Sequence, residues 1–125
     1  MEPPVRYESI IRVSSTVMPG VEFRIVRLSF GRRMELARRV LELARRAEFL
    51  QAGEKRDDGI EAHVIACDID RLYLEWGLVE IAGLQIDGER ATPESLIETG
   101  PEGLAHEIVA AIKRECALTE QERKN

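Results

Sequence analysis

Residues 30–52 read FGRRMELARRVLELARRAEFLQA, and their apolar members fall into one rhythm. Leu36, Val40, Leu43, Ala47 and Leu50 step by four, three, four and three, the spacing of a single seam on an α-helix. Gly53 is placed to close that helix as its left-handed terminal residue. The polar run Glu54 to Asp57 then makes a short loop, and Asp58 with Glu61 has the spacing of a capping box. Beyond it, Ile65, Ile69, Leu72 and Trp76 step by four, three and four. Gly77 is the expected stop of this second helix, with Leu78 folding back on Tyr73 in a Schellman contact. Two seams joined by a short loop predict an antiparallel helical hairpin.

On the N-terminal side the period changes from 3.6 to 2. Val5, Tyr7, Ile11 and Val13 share one parity, as on one face of a strand, with Ile10 breaking the alternation. Pro19-Gly20 signals a turn, and Val21, Phe23 and Ile25 resume the alternation before Val26 and Leu28 switch parity. That switch predicts a bulge or a strand buried on both faces. On the C-terminal side, Val79, Ile81, Leu84 and Ile86 suggest a short strand or two, and Asp87-Gly88 a tight turn. Thr92-Pro93 reads as the cap and first residue of a brief helix ending at Gly100. Pro101 opens another, with Leu104, Ile108, Val109, Ala111, Ile112 and Cys116 as its apolar face, and Thr119 with Glu122 repeats the capping-box spacing. The expected fold is α+β and α-rich in a single domain, 1–125. An N-terminal β-hairpin (1–28) packs on the antiparallel helical hairpin (29–77), followed by a short extended segment and small C-terminal helices (78–125).

Composition bounds the function. A chain of 125 residues buries about two-thirds of its unfolded surface, enough for one core without staples. Hydrophobic residues make up 44% and charged residues 33%, as in soluble globular domains. The net charge of −5 argues against a wholly basic nucleic-acid binder. No apolar run is long enough to span a membrane, and Glu2-Pro3-Pro4 does not open a secretory signal, so a cytoplasmic protein without membrane attachment is expected. Cys67 and Cys116 do not make a disulfide framework.

Few residues suggest chemistry. Arg32, Arg39 and Arg46 recur every seven residues along the first helix, with Arg33, Arg38 and Arg45 beside them. Glu35 and Glu42 stand at ion-pair spacing from Arg39 and from Arg45 and Arg46, which moderates the field that a phosphate backbone would meet. The stripe therefore reads as a solvated or protein-facing surface, with a nucleic-acid-binding adaptor or regulator as the alternative. Trp76 reads as a core residue or half-buried helix terminus at the end of the second seam, with an interface anchor as its functional alternative. His63 and Cys67 have the spacing of half a zinc site, but no second pair accompanies them, so no metal is expected and both cysteines read as small core residues. Ser14, Ser15 and Thr16 lack a nucleophile-elbow context, and no phosphate-binding glycine motif occurs. No catalytic residue and no cofactor are expected, an orphan enzyme being the weakest alternative.

The order of motifs in residues 70–125 is distinctive. It runs Trp76-Gly77-Leu78-Val79, Ile86-Asp87-Gly88-Glu89, Thr92-Pro93-Glu94-Ser95-Leu96-Ile97 and Gly100-Pro101-Glu102, then an amphipathic helix and a closing Glu122-Arg123-Lys124-Asn125. This order resembles the tail assembly chaperones of long-tailed phages and prophages. The resemblance implies a non-catalytic protein that binds tape-measure or tail-tube protein, keeping it soluble until the tube polymerises.

Overall fold

The computed structural model describes residues 2–52 and 56–124. Helix α1 spans Phe30–Gln51 and α2 spans Arg56–Gly77, each 22 residues long, and they pack side by side as the expected hairpin. Ser29 caps α1, its side chain accepting from the Arg32 amide at 3.3 Å. The Gly53 stop lies outside the described residues. Because α2 already includes Arg56, the expected capping position 58 lies inside the helix. Of the first seam only Leu36 is fully buried; Val40, Leu43, Ala47 and Leu50 are half-buried, since α1 leans almost entirely on α2. The hairpin is an arm joined at the base of α2, through Leu74, to a core centred on the sheet.

That core lies over a three-stranded antiparallel sheet in the order β1 (Ile10–Ser14), β2 (Glu22–Val26), β3 (Leu78–Ala82). The N-terminal hairpin is as expected, but β1 is shorter. Val5 and Tyr7 precede it and are 96% and 70% exposed, because β1 pairs with β2 only up to Ile10 opposite Val26. Ile10 faces outward, while Ile11 and Val13 pack on the core. The parity switch in β2 coincides with a register shift on its other side. Arg24 pairs with Glu80 and Ile25 with Leu78, so Val79 is an extra residue in β3. The addition of β3 to the hairpin is what the alternation did not reveal, and it makes β2, with Phe23 and Ile25 1% exposed, the central strand.

The end of α2 departs from the expected Schellman stop. No left-handed residue stops the helix; Gly77 runs directly into β3. Its glycine is required by α4 (Glu102–Lys124), because a Cβ at position 77 would lie 2.7 Å from Ile112 Cδ1. Strands β4 (Gln85–Ile86) and β5 (Glu89–Arg90) close around Asp87 and Gly88, whose φ values of 52° and 83° make the expected tight hairpin turn. Thr92 caps α3 (Pro93–Thr99) in a capping box with Ser95, and Gly100 ends it. Helix α4 is longer than expected: it continues unbroken past Thr119, which starts no new helix. Leu104, Ile108 and Ile112 of α4 are fully buried against Leu74, Ile81 and Leu96.

The loop between β1 and β2 is fastened to α4 by one carboxylate. Glu107 accepts from the Ser15 hydroxyl at 2.5 Å, the Thr16 amide at 2.7 Å, the Thr16 hydroxyl at 2.9 Å and the Val17 amide at 3.3 Å. Partial burial pushes the Glu107 carboxyl up, but the four hydrogen bonds outweigh it and hold the group below the ordinary carboxylate range.

Gly77→Ala should cost about 1–3 kcal/mol by overpacking against Ile112, whereas Gly59→Ala, in open space on α2, should be neutral or stabilising by up to about 1 kcal/mol. Urea titration of the two variants checks the contrast. Replacing Glu107 with Gln should lower stability at neutral pH by about 1–3 kcal/mol, the scale of hydrogen bonds to a charged group. A depressed native pKa stabilises above the unfolded value and loses that contribution as pH falls through the native one. The gap between wild type and Glu107→Gln should therefore close below about pH 4.3; a gap unchanged down to acid unfolding would contradict the role given to this carboxylate.

Candidate functional site

Arg32, Arg39 and Arg46 lie on the edge of α1 that borders α2, the side where Trp76 ends the α2 seam. The guanidinium carbon of Arg32 sits 3.9 Å from the centre of the Trp76 ring, and that of Arg39 sits 5.2 Å away. Both are cation–π distances, and the half-buried indole gives the two charges an apolar seat that leaves their outer sides wet. Arg46 stands two turns beyond Arg39 and does not reach the ring. It lines a groove between the helices with Arg39, Glu42, Leu43 and Leu72. The four residues singled out in the sequence thus share one face, Arg32 and Arg39 each against the Trp76 ring and Arg46 in the adjoining groove.

The charges on this arm are unevenly matched. Glu35 meets both Arg38 and Arg39 at 3.5 Å. Among the described residues, no ion pair joins Glu42 to Arg45 or Arg46, although their spacing suggested one. Arg33 departs from the other arginines: it is 9% exposed and donates to the Cys116 carbonyl at 3.5 Å, tying the base of α1 to α4. Its burial has no sequence signal, since it reads as the neighbour of Arg32. The exposed Arg71 guanidinium is raised above its ordinary pKa by hydrogen bonds to Glu75 at 2.9 Å and Glu98 at 2.8 Å, which link α2 to α3.

The remaining candidates lie elsewhere in the structure. Cys67 is exposed in the wall of a cleft between α2 and α4 and is not part of the core, and Cys116 is half-buried. His63 Nε2 lies 3.8 Å from Cys67 Sγ, and among the described residues no group of three or more His, Cys, Asp or Glu side chains could hold a metal ion. The hydroxyls of Ser15 and Thr16 are engaged by Glu107. Among the described residues, no helix is long and apolar enough to cross a membrane. Comparison with family models, curated proteins and solved structures found no match.

Trp76 is the single tryptophan, so its fluorescence reports the arginine stack. Changing Arg32 and Arg39 together to Ala should cost about 1–2 kcal/mol, the sum of two exposed cation–π contacts, and move the emission to longer wavelength as water reaches the ring. Emission and urea midpoint both unchanged would mean that the arginines do not rest on Trp76 in solution.

Proposed function

We propose that the protein is a non-catalytic assembly factor that binds another protein through the arginine–tryptophan face of its helical arm. The observation carrying this reading is the seating of Arg32 and Arg39 on Trp76 beside a groove with Leu43 and Leu72 in its walls. Tryptophan and arginine dominate the energetic centres of protein interfaces, where an apolar seat holds a charge ready to pair. Guanidinium groups so held bind carboxylates bidentately. Glu35 and Glu42 on the same helix oppose a phosphate backbone but can be matched pair by pair by a folded partner. The resemblance of residues 70–125 to phage tail assembly chaperones points to tape-measure protein or tail-tube protein as the partner, and the composition favours the cytoplasm as the place of action.

The test is capture of a co-expressed tape-measure fragment by wild type and by Arg39→Glu/Arg46→Glu. Both positions are exposed on the arm, so the fold should be retained while capture weakens by about tenfold or more. Neither protein should bind an unrelated DNA duplex at physiological salt. Duplex binding that falls steeply with salt and disappears in the variant would put the nucleic-acid adaptor in place of the assembly factor.

A further inference from the structure

The outer faces of the two arm helices are complementary to each other. On α1, the side turned away from α2 exposes Met34 at 42% and Leu41 at 50%, and Arg38 and Arg45 flank them. On α2, the side turned away from α1 exposes Ile60 at 62% and Val64 at 52%, and Glu61 and Asp68 flank them. Each face is an apolar stripe with a charged border, one basic and one acidic. Arg38 meets Glu35 at 3.5 Å with its side chain 73% exposed, and Arg45, Glu61 and Asp68 have no ion-pair partner within 4.0 Å among the described residues. An exposed intrahelical pair of this kind is weak and yields readily to a better partner.

Helical geometry determines how these faces can meet. At about 100° per residue, the charged border lies about 40° further round than the apolar stripe on α1 and about 70° on α2, in the same rotational sense. In an antiparallel pair, borders of the same sense fall on the same side of the contact. The α1 stripe of one copy laid antiparallel on the α2 stripe of another, as α1 lies on α2 within one arm, therefore brings arginines to carboxylates and leucine to isoleucine. Laying α1 on a second α1 would instead set Arg38 and Arg45 against their own kind. The stripes occupy opposite sides of the hairpin because each faces away from the other helix, so one contact cannot use both stripes of a molecule. Such a head-to-tail contact leaves a free stripe at each end and continues into a ring or an open row.

We infer that the protein self-associates head to tail, the outer face of α1 docking on the outer face of α2 of the next copy. This contact uses neither the Trp76 seat nor the groove residues of the proposed partner site, and it holds or fails independently of that site.

Sedimentation of the full chain over a wide concentration range tests it. Wild type should grow past a dimer as concentration rises. Arg38→Glu/Arg45→Glu and Glu61→Arg/Asp68→Arg should each weaken association by about tenfold or more while keeping wild-type circular dichroism. An equimolar mixture of the two variants should regain growth, because each then presents the charge the other lacks; a quadruple variant carrying both reversals should regain it alone. Wild type that stays monomeric, stops at a dimer, or associates equally well after either reversal overturns the inference. So does a monomeric wild type that uses Arg38 and Arg45 to bind phosphatidylserine vesicles or a synthetic Glu-flanked amphipathic peptide.

Discussion

Position 77 is where α2 meets α4 too closely for any side chain, with Ile112 under the helix backbone. That contact orients everything around it. Leu78 enters the sheet at the next residue, so the direction of α2 and the placement of β3 are set together. Since β3 completes the sheet and β2 lies at its centre, the hairpin that opens the chain depends on a helix terminus more than fifty residues later. The register shift at Val79 absorbs the change from helical to extended geometry immediately after the junction.

The helical hairpin, the N-terminal β-hairpin, the Asp87-Gly88 turn and the Thr92 cap were legible because each rests on short-range periodicity or local backbone chemistry. What was not legible depends on distant parts of the chain. The Schellman stop was the natural local reading of Gly77, and the true reason for glycine there is Ile112, thirty-five residues away. Likewise, nothing in the run around Val79 says that it pairs with Phe23 and its neighbours, since alternation gives a strand's faces but not its partner. Cys67 looked like core because it sits near apolar positions, yet α2 has two apolar sides and only one meets α1. For the candidate site, the seven-residue recurrence of arginine was visible, and so was the end of the seam at Trp76. Their convergence required the antiparallel pairing to bring Arg32 across to position 76.

The arm's surface shows how one helix can hold several assignments. Around α1, successive sectors carry the apolar seam to α2, the arginines seated on Trp76, the Arg33 tie to α4, and the outer stripe of Met34 and Leu41. The six arginines in this helix thus do four different things: Arg32 and Arg39 stack, Arg33 braces the base, Arg46 lines the groove, and Arg38 and Arg45 border the outer face. Their surroundings separate them, with indole, carbonyl or solvent at the guanidinium.

The linkerless passage from α2 into β3 also has a mechanical meaning. Helix α2 is about 33 Å long at 1.5 Å per residue, and its inner end is clamped between Ile112 and the sheet. It is a lever with its fulcrum at Gly77. A tilt of about 5° there, small on the scale of packed side chains, sweeps the far tip through about 3 Å. Whatever grips the arm therefore pushes on the central sheet with the advantage of a long handle, and any loosening at one glycine is magnified at the tip.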